Sequence, residues 1–238
     1  MKVEIKERGK KEVKFVIEGV KVRFANALRR AMITEVPKFA IDEVNIRKNT
    51  SLLYDEQLAF RLALIPLKTD LRACSAGDVV SLTLEAIGPE RAGYTVVYSK
   101  ELISSDPEVE AAFEDIPVVK LISTEREVRG IRTVARQGVS LDAIARQGRG
   151  KEHAKWQPVT VCSYEELSGE DKNGLLFSVE SDGALPVDDI VVEAARIMRE
   201  KCESVVEELT SVEKIQITST KSQTNSNDQK PKFKTVSK

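Results

Sequence analysis

Histidine, cysteine and tryptophan are scarce in this sequence of 238 residues, which contains one, three and one of them respectively. A single histidine, His153, leaves no partner at motif spacing for a His-based metal site or a Cys–His nucleophile pair. Cys74, Cys162 and Cys202 are far apart and odd in number, so neither a disulfide framework nor a CxxC site is predicted. These absences argue against metalloenzymes and thiol enzymes.

Long hydrophobic runs are also missing. No apolar run approaches the roughly 20 residues that cross a bilayer, and residues 1–8 alternate charged with apolar side chains, unlike a signal peptide. We therefore expect a cytoplasmic chain with no membrane contact. With 41% hydrophobic and 32% charged residues, the chain can bury a sizeable core in one large domain or two small ones.

Catalytic motifs are lacking as well. Neither GxSxG nor HExxH occurs, and no close trio of aspartates could chelate paired metals. The run 148–151 is similar to part of a phosphate-binding loop, but no glycine stands five positions before Gly150, and Glu152 replaces the Ser or Thr that would meet magnesium. We therefore expect no catalysis by this chain, although an active site assembled from distant residues stays open.

Basic side chains are concentrated in one stretch. The net charge is −1, yet residues 129–155 hold seven bases against two acids. The segment 147–158, which overlaps the end of this basic patch, holds several cations, the only histidine and the only tryptophan, and we call it the docking loop. Its candidate residues are Arg149, Lys151, His153, Lys155 and Trp156. Such a loop suits phosphate or an acidic protein groove, and a solvated loop with its tryptophan in its own core is an equal alternative.

The segment 22–35 predicts a helix with one apolar stripe, in which alanines keep the side chains small. The stripe residues recur at the spacing of one helical face, and they are Phe24, Ala27, Leu28 and Ala31. Arg29 and Arg30 lie beside the stripe, and Pro37 prevents the helix from continuing. From the spacing alone, an ordinary core helix is the simpler interpretation.

A second helix, of roughly 35 Å, is predicted for 187–209. Pro186 and two following aspartates favour its start. Its apolar residues form a narrow seam of coiled-coil type, consisting of Val191, Ala195, Met198, Cys202, Val205 and Leu209, with a flank of Ile190, Ala194, Ile197 and Val206. We expect this helix to touch both its own domain and another chain. Residues 211–238 are predicted to be a disordered, lysine-rich tail.

The remaining chain is predicted to be mostly strand, which gives an α+β fold class. The expected strands are 2–8, 12–18, 39–47, 79–87, 94–98, 116–121, 139–145, 159–164 and 175–181. A short helix is expected over 56–64, with Asp55 as its cap.

Several motifs together resemble the alpha-type assembly subunit of cellular RNA polymerases. They are NALRR (26–30), EVP (35–37), AIDEV (40–44), NTS (49–51), DE (55–56) and RLALIPL (61–67). GKEHAKWQP (150–158) is similar to the archaeal and eukaryotic form of the family rather than the bacterial one, and ESDG (180–183) fits as well. The resemblance runs in the family's order from residue 12 to 210.

This resemblance implies a discontinuous dimerisation domain, a sheet plus two long helices, made of residues 1–45 and 172–210. A mostly-β domain, 46–171, would be inserted, with 211–238 as the tail. The implied function is a non-catalytic subunit of DNA-directed RNA polymerase, a nucleotidyltransferase complex. The chain would pair with the small L subunit as a platform for the large catalytic subunit and the small subunits N and P. DNA and RNA would be met only through the complex.

The resemblance also implies the binding residues. Partner-binding residues would be Phe24, Asn26, Leu28, Arg29, Arg30, Ala31, Val191, Met198, Val205 and Leu209. The two arginines would pair with acidic groups of the catalytic subunit or the partner. The docking loop would contact a large neighbour.

Three departures from the family matter. Phe60 stands where the family often has histidine, and Ala63 replaces a common glycine. Many archaeal members insert a domain with iron–sulfur clusters, but here the ten residues 165–174 contain no cysteine. The stretch 73–76 is too poor in cysteine for the zinc loop of eukaryotic relatives. We therefore predict no cofactor in this chain.

A free-standing nucleic-acid-binding protein is the alternative function. It would use the basic patch 129–155, and its affinity would fall steeply with salt.

Overall fold

A computed structural model of the protein describes residues 1–71, 77–128, 131–167 and 174–224. The described residues contain three α-helices, α1 Val22–Thr34, α2 Asp55–Ala63 and α3 Val187–Thr224. The strands in these ranges are β1 Lys2–Arg8, β2 Glu12–Glu18, β3 Pro37–Asn49, β4 Val79–Ile87, β5 Gly93–Tyr98, β6 Ile103–Ser104, β7 Pro117–Val128, β8 Ile131–Arg136, β9 Gly138–Arg149, β10 Val159–Leu167 and β11 Gly174–Ser181. Short 3-10 turns span Ser99–Glu101 and Ala154–Trp156. The α+β class is confirmed.

The first sheet combines strands from distant parts of the sequence in the order β1-β2-β11-β10, with antiparallel pairing throughout. On one face the rings of Phe15 and Phe177 stack with centroids 5.1 Å apart, and Tyr164 lies 5.6 Å from Phe177. Helix α1 packs on β10, where Cys162 Sγ lies 3.8 Å from the Arg29 carbonyl oxygen. The first sheet therefore has an aromatic core beside a covering helix.

Helix α1 follows the predicted bounds closely. Ala25, Leu28 and Met32 recur at three- and four-residue spacing and are buried, because they share the face that meets the sheet. The helix ends before Pro37, which opens β3.

A second sheet, β3-β9-β4-β6, and a third, β5-β7-β8, enclose the main hydrophobic core. Alternate side chains of β3, such as Phe39 and Ile41, enter this core. Leu58 and Leu62 of α2 are part of the same cluster, as are Leu121 and its neighbours on β7. The strands β6 and β8 were not predicted, and β7 and β9 are longer than predicted.

Asp55 is not the cap of α2. It is the first residue of the helix, whose N-cap is Tyr54, and its carboxylate accepts a hydrogen bond of 2.7 Å from Asn49 Nδ2. The carboxylate therefore secures the preceding turn instead of capping a helix N–H.

Helix α3 is longer than predicted. It runs to Thr224 and so includes 211–224 of the predicted tail, while 225–238 lie outside the described residues. No glycine or proline interrupts the chain between Val187 and Thr224, so no local signal ends the helix. None of the described helices is both long and apolar enough to span a membrane.

The predicted domain limits, 45/46 and 171/172, stay predictions, and they can be compared with the strand pairing. The chain divides into Met1–Ala195 and Arg196–Lys238. The predicted break at 45/46 falls inside β3, which pairs with β9 from Pro37 to Asn49. Strand β10, assigned to the inserted domain by the range 46–171, pairs with β11 in the first sheet. Strand pairing between residues far apart in sequence thus runs across both limits.

Candidate partner-binding site

Part of the apolar stripe predicted on α1 is buried in the chain's own core, and part of it is exposed to solvent. Leu28 and Ala31 are only 4% and 6% exposed, because the helix turns that side toward the chain's own core. Their predicted role in contacting a partner is therefore corrected to a core role. Phe24 is 39% exposed and Ala27 is also exposed. Together with the exposed Val22, which sequence reasoning missed, they form the outward apolar part of α1.

The two arginines of α1 differ in their surroundings. Arg29 is half-buried, and its Nη2 donates to Asn26 Oδ1 at 3.0 Å. Asn26 therefore orients Arg29 within the helix. Arg30 is exposed. Within the described ranges neither guanidinium forms an ion pair, so both positive charges remain available to an acidic group.

Cys162 lies beneath this part of α1. Burial raises the pKa of its thiol from 9.0 to about 11, and the charge of Arg29 lowers the pKa in partial opposition. The thiol is therefore protonated near neutral pH.

Helix α3 has an inner and an outer side within the unit Met1–Ala195. Val187, Ile190 and Ala194 are buried, so the flank predicted from the sequence, rather than the seam, supplies the core contacts. Val191 is half-buried and Val192 is exposed. Val192 was missed because it does not belong to the four-and-three spacing of the seam.

The unit Arg196–Lys238 carries the rest of the predicted seam. We call Met198, Cys202, Val205 and Leu209 the outer seam, since their spacing places them on one side of the helix. Met198 is half-buried, and the other three are exposed, Leu209 to 63%. Val206 beside them is exposed as well. A helix with this uncovered apolar side is suited to pack against another helix.

The docking loop is folded against the end of α1. The Lys151 N–H donates to the Thr34 carbonyl at 3.0 Å. A Cβ added to Gly150 would lie 2.2 Å from the Ile33 carbonyl oxygen, so this approach requires glycine.

Trp156 belongs to the interior of the chain. Its indole N–H donates to the Arg146 carbonyl at 3.1 Å, and its ring lies where a Cβ on Gly148 would be 2.4 Å away. Lys155 Nζ is 4.3 Å from the Trp156 ring centroid and 2.6 Å from Asp42 Oδ1. The predicted docking role of Trp156 and Lys155 is therefore corrected, because both side chains are engaged by other parts of the same chain.

Of the other three docking-loop residues, Lys151 and His153 are exposed and Arg149 is half-buried. Arg149 Nη1 and Lys151 Nζ each lie 3.7 Å from Glu35 Oε2. His153 accepts a hydrogen bond at Nδ1 from the Lys155 N–H, at 3.1 Å. We call Arg149, Lys151 and His153 the loop tip, which carries two full positive charges around one carboxylate.

The basic patch 129–155 is largely neutralised by acidic neighbours. Arg129 lies outside the described residues. Five of the other six bases lie within 4.0 Å of a carboxylate, namely Arg132, Arg146, Arg149, Lys151 and Lys155. Arg146, for example, is 2.7 Å from Glu43. This pairing disfavours a continuous cationic surface for nucleic acid.

In the part of the chain that the structure describes, no group of three or more His, Cys, Asp or Glu side chains is placed to hold a metal ion. Cys74 and the stretch 73–76 lie outside that part.

Comparison with known sequences agrees with the resemblance of the motifs. The family model of the RNA polymerase Rpb3/Rpb11 dimerisation domain matches residues 14–202. DNA-directed RNA polymerase subunit Rpo3 of Pyrococcus furiosus is 35% identical over 270 aligned positions, covering 88% of this chain and 97% of the relative. Rpo3 of Methanosarcina acetivorans is 32% identical, covering 87% and 97%.

A third relative, Rpo3 of Methanosarcina mazei, is 42% identical over 181 residues, covering 70% of this chain and 61% of the relative. The family match extends from β2 to the outer seam of α3 and so includes both helices that expose apolar side chains. The chain belongs to the family of the RNA polymerase Rpb3/Rpb11 dimerisation domain.

Proposed function

We propose that this chain is the alpha-type assembly subunit of a DNA-directed RNA polymerase of the archaeal kind. It is a non-catalytic member of a nucleotidyltransferase complex whose catalytic activity belongs to the large subunits. The family match and the Rpo3 relatives support this function. The protein acts in transcription, in the cytoplasm, and meets DNA and RNA through the complex.

The outer seam of α3 is the observation that carries the pairing with a partner. Cys202, Val205 and Leu209 expose apolar surface along one side of a long helix. Helices are stabilised mainly by packing of their apolar faces, and contiguous exposed apolar patches mark interaction sites. The small L subunit covers this seam in a heterodimer, in keeping with a family named for dimerisation.

The outward side of α1 supplies a second contact. Phe24 and Ala27 offer apolar surface, while Arg29 and Arg30 offer unpaired positive charge. Acidic groups of the large catalytic subunit or of the L subunit pair with these arginines. The loop tip contributes further cations to the large neighbour. The small subunits N and P join the same platform.

The sheet order supports a discontinuous dimerisation domain with a mostly-β insertion. The first sheet takes β1 and β2 from the start of the chain and β10 and β11 from a much later part, while the second and third sheets come from between them. On this basis the dimerisation region comprises the first sheet with α1 and α3, and the insertion runs from β3 to the docking loop.

The chain binds no iron–sulfur cluster and no zinc. The absence of cysteine between 165 and 174 is the sequence observation behind this proposal. The alignment with the Pyrococcus relative spans 270 positions, more than the 238 residues of this chain, so that relative carries segments without a counterpart here.

Purification of the tagged chain from its own cells tests the proposed function. We expect mass spectrometry to identify the two large polymerase subunits, the L subunit and the subunits N and P in stoichiometric amounts. The matched control is a tagged chain with Val205→Glu and Leu209→Glu, which should lose the L subunit. Recovery of the unaltered chain alone, or with proteins unrelated to transcription, would refute the proposal.

A further inference from the structure

Lys38 and Asp182 form the most buried ion pair among the residues that the structure describes. Their side chains are only 4% and 15% exposed, whereas the other ion pairs in the described ranges include at least one more exposed partner. Lys38 lies on β3 of the second sheet, and Asp182 lies in the short connection between β11 and α3. The pair therefore links the second sheet to the segment from which α3 starts.

Lys38 points away from the main core. Successive side chains of a strand leave on opposite faces, so Phe39 enters the core cluster while Lys38 projects from the other face of β3. The Lys38 Nζ donates to Asp182 Oδ2. An ammonium group on so buried a side chain is largely shielded from bulk water, and the carboxylate is its charged partner.

A ring of hydrogen bonds closes around the pair. Asp182 Oδ1 accepts from the Ala184 N–H at 3.0 Å, and the Ala184 carbonyl accepts from the Thr69 N–H at 2.9 Å. Thr69 Oγ1 in turn accepts from the Phe39 N–H at 3.1 Å. Because Phe39 follows Lys38 in the chain, this bond closes the ring. Three separate segments of the chain are fixed to one another at this point.

The turn inside the ring is sterically determined. Gly183 has a φ of +95°, and an added Cβ would lie 2.8 Å from the Phe113 ring. Gly183 N–H donates to Ser181 Oγ at 3.0 Å. The close approach of Phe113 requires glycine at this position, and in this turn Asp182 faces Lys38.

Stability alone does not explain a buried pair of charges. Desolvation of the two groups offsets most of their attraction, and apolar replacements of buried ion pairs are often as stable as the originals. A fixed ion pair does, however, restrict the relative placement of the two elements that carry it. Its contribution is therefore expected in geometry more than in unfolding free energy.

We propose that Lys38 and Asp182 are positioning residues that hold the start of α3 against β3, and that this placement is required for the large catalytic subunit to bind. The inference rests on the proposed function, since it assigns α3 to the L subunit and the insertion to the large neighbour. The pair then couples the part of the chain that meets one partner to the part that meets the other.

A double variant, Lys38→Met with Asp182→Asn, tests the proposal in the heterodimer with the L subunit. Asparagine keeps the acceptor for the Ala184 N–H, and no unpaired charge is left behind. We expect wild-type heterodimer yield and an unchanged unfolding midpoint. Affinity for the large subunit should fall about 5-fold or more, the size of a typical coupling between sites. The single variant Lys38→Arg, which keeps a cation beside the unaltered Asp182, should retain an affinity close to that of the wild type.

The exposed pair Lys68 and Glu110, 3.5 Å apart, supplies the control. Lys68→Met with Glu110→Gln should change neither quantity, since exposed pairs contribute little. Wild-type affinity in the Lys38 and Asp182 double variant would overturn the proposal, and so would a loss of stability that matches the loss of affinity.

Hydrogen exchange separates this inference from the proposed function. In the double variant, the amides of Asp182 and Ala184 should exchange faster while the global unfolding midpoint stays constant. If the unaltered heterodimer fails to bind the large subunit, the proposed function fails, and exchange still decides whether the pair positions α3. Unchanged exchange at both amides would refute the positioning role.

Discussion

Gly150 sets the path of the docking loop where it crosses the end of α1. No Cβ fits there, because the Ile33 carbonyl oxygen would be 2.2 Å away. We predict that Gly150→Ala lowers the free energy of unfolding by roughly 1–3 kcal/mol, the usual cost of overpacking. Denaturant unfolding measures it. Gly9→Ala is the control, since its Cβ would meet nothing closer than 3.4 Å; an equal loss there would contradict the account.

Cys162 should react slowly and with a displaced pH dependence. In a chain with Cys74→Ser and Cys202→Ser, alkylation at pH 8 should be on the order of 100-fold slower than for a free thiol, because the thiolate is the reactive form. Its pKa of about 11 should place the midpoint of the rate profile there. Rapid reaction at pH 8 with a midpoint near 9 would refute the burial argument.

The raised pKa of Cys162 also makes the free energy of unfolding depend on pH. Well below pH 9 the thiol is protonated in both the folded and the unfolded chain, so the free energy of unfolding does not change with pH there. Between pH 9 and about 11 the unfolded chain loses the thiol proton while the folded chain keeps it, so the free energy of unfolding falls as pH rises.

At the residue scale, composition left the role of Trp156 open because its partners are not sequence neighbours. The Trp156 ring occupies the space that a side chain at Gly148 would fill. Lys155, whose ammonium group lies near the ring, forms an ion pair with Asp42, 113 residues away. The cations of the docking loop could be identified from the sequence. Which of them stay exposed depends on carboxylates of β3 and α1, and no pattern within the loop shows that.

At the scale of elements, the outer seam of α3 gives the sharpest prediction. Val205→Glu with Leu209→Glu should leave the helix intact, because both positions are exposed, yet it should reduce co-purification of the L subunit at least 10-fold. Burial of two glutamates in an apolar interface would cost at least about 1.4 kcal/mol. Pull-down with a tagged L subunit measures the effect.

Ser211→Glu provides the matched control on the same helix. This exposed residue lies roughly opposite the outer seam at 100° per residue, so the added charge should not affect pairing. Equal loss in both variants would show that charge on the helix, and not the seam, controls the interaction.

Helix periodicity predicted that α1 and α3 exist, but it did not predict which face of each helix is buried. Both helices carry two adjacent apolar sides, and the spacing alone did not show which side meets the chain's own core. In α1 the core side is centred on Ala25, Leu28 and Met32; in α3 it is the flank at Ile190 and Ala194. Sheet packing selects the side.

At the scale of the whole molecule, the paired charges argue against nucleic-acid binding by the chain alone. Because five bases of the patch lie near carboxylates, gel-shift binding of the isolated chain to duplex DNA should stay weaker than about 10 μM at 50 mM salt, with a shallow salt slope. Tight binding whose logarithm falls steeply with salt would favour the alternative function.

Domain limits were the least predictable feature of the whole chain. The expected break after residue 45 lies within a strand whose pairing with β9 continues to Asn49. The sheet shared by β2 and β11 joins Glu18 to Gly174, a contact that local sequence patterns do not encode. The family resemblance gave the discontinuous order, while strand pairing sets the limits.

Co-expression with the L subunit, followed by light scattering of the eluted peak, tests the central claim most directly. The account predicts a one-to-one heterodimer that persists through size exclusion at micromolar concentration, because the outer seam of α3 is exposed in the part of the chain that the structure describes. A well-behaved monomer of 26.5 kDa that elutes apart from the L subunit would contradict it.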